Sequence, residues 1–374
     1  MTGVRAATAV AAMTMAACAS GLNSQAGAGG ERDALNRCVR AKAERDDFSG
    51  VVVAMHHGET VISVARGALA EPGGAPITPA TRFNIASAGK MFTAVAVAQL
   101  VDAGKIEFGD PIGRHVAGLS PQTAAVTVHQ LLTHTSGLGN FFAPQNLAAL
   151  RNARTANDLL PLIASEVPDF PPGSRFRYSN SGFALLGVLI ERVSGETYAE
   201  YLRRHVFLPA GMAKSGVDPE PVDTLAVAMT KATPGSRPGG ALEGPLHRAP
   251  GGMLYGSPAG GAFTTALDLQ KFAAALMGNR LTSAASTAAL LTRKTLAGSE
   301  AAYGYGFGLR TAGGRDWVGH NGGTLGANAE FHLLPGEGWS VAVLSNRDPP
   351  SATAVFAYLE ELIADPAKIA GCAG

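Results

Sequence analysis

Hydrophobic positions recur with the spacing of β-strands near both ends of the chain. FSGVVVAM (residues 48–55) and TVISVA (residues 60–65) are strand-like runs, and the turn His56–Glu59 between them predicts a hairpin. Further strand-like runs lie between Gly- and Pro-containing turns near the C-terminus: GFGL (residues 306–309), AEFHLL (residues 329–334) and WSVAVL (residues 339–344). Both ends of the chain are therefore predicted to contribute strands.

Helical spacing of apolar residues precedes, separates and follows these strands. Leu35, Val39 and Ala43 recur at every fourth position, which predicts a helix over residues 31–46. Other predicted helices cover residues 87–103, 127–133, 183–193 and 267–277 and the run AVFAYLEELI (residues 354–363). This order predicts an α/β (α+β) fold, in which one antiparallel sheet from both chain ends is flanked by helices and carries an inserted helical domain.

The pattern also predicts a division of the chain. We place residues 31–84 and 265–374 in the α/β part and residues 85–264 in a mainly helical part. Between residues 215 and 262 the chain is rich in Gly and Pro, and we expect this stretch to shape the mouth of a pocket.

Composition excludes several classes of protein. Hydrophobic residues make up 46% of the 374 residues and charged residues 16%, which is typical of a globular chain with a core. The formal net charge is +1 and no basic run is longer than a pair, so we predict no nucleic-acid partner and no electrostatic docking to membranes.

The N-terminus has the pattern of an export signal. Arg5 precedes the apolar run Ala6–Ala17, which is too short to span a bilayer. Ala17-Cys18-Ala19 fits ordinary signal cleavage, whereas Met15–Cys18 resembles a bacterial lipobox, in which Cys18 would be lipidated and become the mature N-terminus. The sequence leaves both interpretations open.

We therefore expect a signal peptide over residues 1–19, a flexible tether over residues 20–30 and an exported domain from residue 31. The domain would lie in the periplasm or at the extracytoplasmic membrane surface, and a lipid on Cys18 would be its membrane contact. The sequence does not indicate which oligomeric state the protein has.

Two cysteines lie in the predicted domain. Export permits disulfides, and Cys38 belongs to the predicted first helix while Cys372 follows the predicted last one. If these helices pack side by side, a disulfide would close nearly the whole chain. The alternative is two free thiols.

A serine and a lysine are spaced for chemistry at the start of an apolar helix. Ser87 and Lys90 are three residues apart and share one helical face. A serine hydroxyl needs a base, and a lysine desolvated by its apolar helix would have a lowered pKa and accept the proton. The structural alternative is a helix-capping serine and a surface lysine, and the pair alone is a weak signal.

Two other short motifs carry polar residues suited to catalysis. In Tyr178-Ser179-Asn180 the tyrosine can relay protons and the asparagine can bind a substrate amide. WVGHNGGT (residues 317–324) lies between strand-like runs, and its glycines would let a substrate backbone approach a strand edge closely. Taken singly, the first motif is better explained by a packed tyrosine and a capping asparagine, and the alternative for the second is a Gly-rich hairpin with a surface histidine.

Together, S-x-x-K, Y-x-N and H-x-G in this order resemble the motif set of the penicillin-recognising serine hydrolases. This family includes class C β-lactamases, D,D-peptidases, esterases and D-aminopeptidases. VTVHQLLTHTSGL (residues 126–138), PGSRFRYSN (residues 172–180) and YGYGFGL (residues 303–309) resemble it as well. The resemblance covers roughly residues 45–365 and implies a sheet domain and a helical domain with the active site between them.

The resemblance implies a role for each motif residue. Ser87 would be the nucleophile that forms an acyl-enzyme, and Lys90 and Tyr178 would share the general-base and general-acid work. Asn180 would orient the substrate amide. The backbone N–H groups of Ser87 and Gly323 would form the oxyanion hole.

The third motif departs from one part of the family. His320, which with Asn321 and Gly322 is predicted to bind substrate, stands where β-lactamases and carboxypeptidases carry a lysine. Histidine is largely neutral at pH 7 and would hold a substrate carboxylate less well than lysine. The sequence therefore favours ester or amide substrates without a required carboxylate, with β-lactams and D-amino-acid peptides as alternatives.

The sequence lacks the motifs of several other classes of enzyme. Ile85 breaks the G-x-S-x-G motif of an α/β-hydrolase around Ser87, and Asn84 and Met91 break a P-loop. The histidines lack a ligand spacing, so we predict no metal and no cofactor. A non-catalytic penicillin- or peptidoglycan-binding module that is acylated once remains the rival from another class.

Overall fold

The strands of the computed structural model come from both ends of the chain. The structure describes residues 30–217, 225–233, 242, 244–249, 256–295, 299 and 301–372. The strands are β1 (Gly50–His56), β2 (Glu59–Arg66), β3 (Phe83–Asn84), β4 (Met229–Thr230), β5 (His247–Arg248), β6 (Phe263–Thr264), β7 (Ala302–Tyr303), β8 (Gly308–Ala312), β9 (Arg315–Thr324), β10 (Ala327–Leu334) and β11 (Trp339–Ser345). The predicted signal, the tether and Cys18 lie outside the described residues.

Within the described residues, seven of these strands form the main sheet in the order β2-β1-β11-β10-β9-β8-β7, and every neighbouring pair is antiparallel. The first and the last strand lie side by side, with Gly50 opposite Ser345 and His56 opposite Trp339. Two short ribbons, β3–β6 and β4–β5, lie outside this sheet. The predicted fold class, a sheet from both chain ends, is confirmed.

The helices begin with α1, which covers residues 30–45. The others are α2 (Lys90–Asp102), α3 (Pro121–Ala124), α4 (Val128–Leu132), α5 (Leu147–Asn152), α6 (Leu160–Ile163), α7 (Asn180–Ser194), α8 (Tyr198–Tyr201), α9 (Leu208–Ala210), α10 (Ala266–Met277), α11 (Ala284–Leu291), α12 (Ser351–Ala364) and α13 (Ala367–Cys372). A π-helical stretch, Leu202–Phe207, joins α8 to α9. The predicted helices correspond to α1, α2, α4, α7, α10 and α12, whereas α11, the other short helices and strand β9 were not predicted.

The sheet is covered on both faces, which explains why β1 is apolar without alternation. Val52 and Ala54 face a cluster formed with α1 and α12, while Val51 and Val53 face the larger core that holds α2, α7 and α10. The predicted boundaries of the two parts remain a prediction.

Helix α2 lies inside the larger core and is buried from Lys90 to Ala98. Its polar side chains have partners there: the Thr93 hydroxyl pairs with the Tyr198 hydroxyl at 2.7 Å and donates to the Pro258 carbonyl at 2.7 Å. The uniform apolar pattern around α2 therefore reflects a central helix with neighbours on every side.

A disulfide joins Cys38 of α1 to Cys372, the last residue of α13, with 5.4 Å between the Cα atoms. It ties the two chain ends together on the α12 face of the sheet. Over the described part of the chain, no helix has the length and apolar character needed to cross a membrane, and no group of three or more His, Cys, Asp or Glu could hold a metal ion.

Candidate active site

Ser87 lies in a tight turn, Ala86–Gly89, that leads into α2. The residue before it, Ala86, has a φ of +44°, a left-handed conformation that costs free energy for a residue with a side chain. The Asn84 side-chain oxygen accepts from the Ala86 N–H at 2.7 Å, and the Gly261 N–H donates to the Ala86 carbonyl at 3.0 Å. These contacts hold the turn, and strained backbone of this kind is frequent at active sites.

Lys90 is fully buried one turn beyond Ser87. Its Nζ lies 3.4 Å from the Ser87 hydroxyl oxygen and 2.8 Å from the Asn180 side-chain oxygen, and it also contacts the Ala259 carbonyl oxygen. It lies 4.7 Å from the centre of the Tyr178 ring. None of these described partners is a carboxylate, and burial lowers the pKa of Lys90 well below its usual value.

Tyr178 lies on the other side of the serine. Its hydroxyl is close enough to the Ser87 side chain to interact with it. Although 39% of the residue is exposed, its hydroxyl is enclosed, and burial raises the pKa of Tyr178 while the interaction with Ser87 opposes the rise. The phenol is therefore protonated at neutral pH and can donate a proton.

The start of α7 fixes the Tyr-Ser-Asn motif. Ser179 caps the helix by accepting from the Gly182 N–H at 2.9 Å, and its own N–H donates to the His134 Nδ1 at 3.0 Å. The Asn180 side-chain nitrogen donates to the Asn140 side-chain oxygen at 3.2 Å. Tyr178 and Asn180 flank this capping serine in the sequence, and the side chains of both contact Lys90.

Strand β9 passes directly behind the serine turn. A Cβ added to Gly322 would overlap the Ile85 carbonyl oxygen and lie 3.1 Å from the Ser87 nitrogen. Only glycine fits at this position, so the Gly-rich motif brings β9 into contact with the nucleophile's backbone.

The Gly323 N–H belongs to the open edge of β9. Asn328 of β10 donates its side-chain N–H to the Gly322 carbonyl at 2.9 Å, so Gly322 turns its polar groups toward β10. Successive residues of a strand turn theirs to opposite edges, so the Gly323 N–H points away from β10. In the described part of the chain β8 pairs with β9 only as far as Gly319, so β8 does not bind this N–H, and the neighbouring Gly322 lies against the Ser87 backbone.

His320 is buried, and both of its ring nitrogens have partners inside the protein. Nδ1–H donates to the Asn321 carbonyl at 2.5 Å, and Nε2 accepts from the Tyr303 hydroxyl at 2.8 Å. Burial, and then the nearby Lys90, lower the pKa of His320 to about 3. The ring is therefore neutral at pH 7.

The side chain of Asn321 points to the other face of the sheet, because it alternates with His320 and Gly322. Only its backbone borders the site edge. A substrate contact by Asn321, which remains a prediction, would therefore involve its backbone.

The predicted residues Ser87, Lys90, Tyr178 and Asn180 are thus brought together, with the backbone of Gly322 and Gly323 beside them. Tyr303 and His134 lie in motif stretches quoted from the sequence, but no role had been assigned to them. Tyr303 contacts His320, and the His134 ring packs on Tyr178 at 4.3 Å between ring centres. The Ala259 carbonyl had no signal in the sequence, since a backbone acceptor can belong to any residue type.

Comparisons with known proteins agree on one family. The family model described as beta-lactamase matches residues 35–365. Penicillin-binding protein 4 of Amycolatopsis lactamdurans is 30% identical over 318 residues, which are 79% of this chain and 80% of that protein. In two Bacillus subtilis relatives the matched region spans 62% and 45% of the relative's length.

Solved structures give the same result. A penicillin binding protein from Bacillus halodurans is 32% identical with a TM-score of 0.77, over 87% of this chain and 98% of that chain. A D-stereospecific amidohydrolase from Streptomyces sp. is 25% identical with a TM-score of 0.68, over 87% of this chain and 97% of that chain.

Proposed function

Because the chain belongs to the β-lactamase family, as its three motifs indicated, we propose that it is an exported serine hydrolase that transfers acyl groups from ester or amide substrates to water. The observation that carries the proposal is the position of Lys90. It is a fully buried lysine whose Nζ lies 3.4 Å from the Ser87 hydroxyl oxygen, with no carboxylate among its described partners.

The hydrogen bonds of Lys90 fit a neutral amine. A neutral Nζ has two N–H donors and one lone pair. The Asn180 side-chain oxygen and the Ala259 carbonyl accept the two donors, so the lone pair faces the Ser87 hydroxyl. Lys90 is thereby poised to accept the serine proton.

In the first step the Ser87 oxygen attacks the substrate carbonyl carbon while its proton passes to Lys90 Nζ. The Ser87 and Gly323 N–H groups would stabilise the negative charge on the carbonyl oxygen. The leaving group takes a proton from the Tyr178 hydroxyl, and Lys90 returns one to the phenolate. Water then attacks the acyl-enzyme with the same groups as base and acid, which restores Ser87 and releases the acid.

The neutral His320 supports a substrate without a carboxylate. A ring with a pKa of about 3 supplies no cation at pH 7. The related D-stereospecific amidohydrolase is a hydrolase of this fold, which agrees with an amide or ester substrate. The penicillin-binding names of other relatives favour β-lactams as a second candidate.

Steady-state hydrolysis of p-nitrophenyl butyrate, D-phenylalaninamide and a chromogenic cephalosporin, measured side by side, tests the proposal. We expect the ester or the amide to be preferred and the Ser87→Ala variant to lose activity. Ser63→Ala, the same change on the exposed surface of β2, is the matched control and keeps it. Preference for the cephalosporin would make the protein a β-lactamase. A single stoichiometric burst without turnover would make it a binding module, and full activity in Ser87→Ala would contradict the mechanism.

Export is a part of the proposal that rests on the apolar N-terminal run. Mass spectrometry of the mature N-terminus from fractionated cells tests it. A chain that begins near residue 18 and is found outside the cytoplasm supports export, and a lipid lost in Cys18→Ser supports the lipobox. An unprocessed cytoplasmic chain would contradict export.

A further inference from the structure

The deepest polar contact behind the site joins His320 to a tyrosine from another strand. Tyr303 of β7 and His320 are each about 5% exposed, and the Tyr303 oxygen lies 2.8 Å from His320 Nε2. The two rings meet edge to face, at 90° with 5.7 Å between their centres. Neither side chain is needed for the acyl-transfer steps described above.

The hydrogen bonds fix the proton positions of this pair. The Asn321 carbonyl can only accept, so the His320 nitrogen facing it, Nδ1, carries a hydrogen. In the neutral ring Nε2 then has a lone pair, and Tyr303 must be its donor. Protonating Nε2 would turn the Tyr303 oxygen into the acceptor and deprive its own hydrogen of an acceptor, because the described residues give this hydroxyl no second partner.

The groups that face His320 give it no negative partner. Besides Tyr303 they are Lys90 of α2, His134 after α4 and Tyr178 before α7, with His332 of β10 also close enough to repel an added proton. Among these described groups, a proton added to His320 would find no carboxylate, and the Asn321 carbonyl already accepts from the other ring nitrogen.

We propose that Tyr303 is a specificity-determining residue, which adds to the effect of burial by donating to Nε2 of the neutral His320 ring and so disfavours substrates that carry a carboxylate beside the scissile bond. This inference rests on the proposed ester or amide hydrolysis. It explains why a histidine at this position would not act as a substitute for the lysine of the β-lactam-hydrolysing relatives.

The test uses two esters that differ by one charge, the butyrate esters of 3-hydroxybenzoic acid and of 3-hydroxybenzamide. We expect the wild type to prefer the uncharged ester to the same degree, in kcat/KM, at pH 5.5 and pH 8. In Tyr303→Phe the Nε2 lone pair loses its donor, so protonation no longer deprives a buried hydroxyl of its acceptor. The preference should then fall about twofold at pH 5.5 and stay unchanged at pH 8.

Three further variants define the result. Tyr305→Phe removes a hydroxyl two residues away, where it pairs with His129, and should leave the preference unchanged. His320→Lys should lower the preference at both pH values, because it adds a permanent cation. His320→Gln should keep the preference of the wild type. An unchanged preference in Tyr303→Phe or in His320→Lys would overturn the proposal.

A spectroscopic measurement separates this inference from the proposed function. Nitrogen-15 NMR of histidine-labelled protein, with His320→Gln to assign the signals, should show His320 as the neutral Nδ1–H tautomer from pH 8 to pH 5.5. If wild type hydrolyses neither ester, the proposed function fails. A His320 that is protonated in this range, or that carries its hydrogen on Nε2, would overturn the role of Tyr303 whatever the activity.

Discussion

At the scale of single residues, the main feature is a buried lysine, Lys90, that has no carboxylate among its described partners. Burial alone would exclude it, because an unpaired ammonium is costly inside a protein. In the proposed mechanism Lys90 is a neutral amine: the Asn180 and Ala259 oxygens accept its two N–H groups, which leaves its lone pair for the Ser87 hydroxyl 3.4 Å away. The cost of burying a charged lysine would then be what makes the residue a base.

Because burying a protonated Lys90 is costly, the free energy of unfolding should depend on pH. In the unfolded chain Lys90 keeps its proton up to about pH 10.4, whereas in the folded chain burial lowers its pKa. Folding releases a proton between these two values, so the wild type loses stability as pH falls from about 10 toward the lowered pKa. Lys90→Met has no such proton, and we expect its free energy of unfolding relative to wild type to rise as pH falls from 10 to 6.

Urea unfolding of both proteins across this range measures the effect, with Lys105→Met on an exposed loop as the control. A pH-independent difference between Lys90→Met and wild type would show that the folded protein holds the lysine charged, which contradicts a neutral base.

The activity should depend on the protonation state of the same lysine, Lys90. Since the base must be neutral, we expect kcat/KM for p-nitrophenyl butyrate to fall on the acid side as Lys90 becomes protonated. Lys90→Met should reduce kcat by about 10²–10⁴-fold, the usual contribution of a general base. A rate in Lys90→Met equal to that of the wild type would assign the proton transfer to Tyr178.

At the scale of elements, strand β9 decides the shape of the site. It carries Gly322 against the serine turn and the N–H of Gly323 at its open edge. A loop with the same sequence would not hold these groups at a fixed distance from Ser87, whereas pairing with β10 over the whole motif does so.

Gly322→Ala tests this contact. The added methyl group would meet the Ile85 carbonyl and the Ser87 nitrogen, so the turn must move away from β9. We expect kcat to fall about 10²–10³-fold, the usual effect of losing one oxyanion donor. Gly336→Ala, in a turn where an added Cβ meets nothing within 4 Å, is the matched control and should keep full activity. Equal activity in the two variants would contradict the oxyanion role of this strand.

The sequence predicted this element only in part. The residues of the motif are recognisable, but residues 317–324 contain three glycines and little alternation, which predicts a segment between strands. Their strand conformation comes from pairing with β10, which is buried along its length and is predicted over residues 329–334. The contact between Tyr303 and His320 could not be predicted, because it joins side chains of two different strands and the sequence does not show which strands are neighbours in the sheet.

At the scale of the whole molecule, the site depends on joining the two chain ends. β1 pairs with β11, which in turn pairs with β10 and so supports β9. The order of strand-like and helix-like hydrophobic patterns along the chain is enough to predict the fold class. It does not predict where the helical segment lies against β9, because that position is set by the packing of α2 in the core.

The disulfide adds a covalent link to this closure. It joins Cys38 to Cys372 across 334 residues, on the face of the sheet that carries α12 and away from the serine turn. A cross-link across so long a segment restricts the unfolded chain strongly, and removal of such a bond typically costs about 2–5 kcal/mol. We therefore expect the double variant Cys38→Ser, Cys372→Ser to unfold at lower urea and to keep its kcat at 25 °C.

Wild type unfolded in the presence of a reductant is the control for this variant, because it breaks the same bond without replacing any sulfur atom. The two should unfold at similar urea concentrations, below that of the oxidised wild type. If all three unfold together, the bond does not stabilise the fold. If kcat falls together with stability, the α12 face is coupled to the site, and the sheet transmits changes on one face to the catalytic turn on the other.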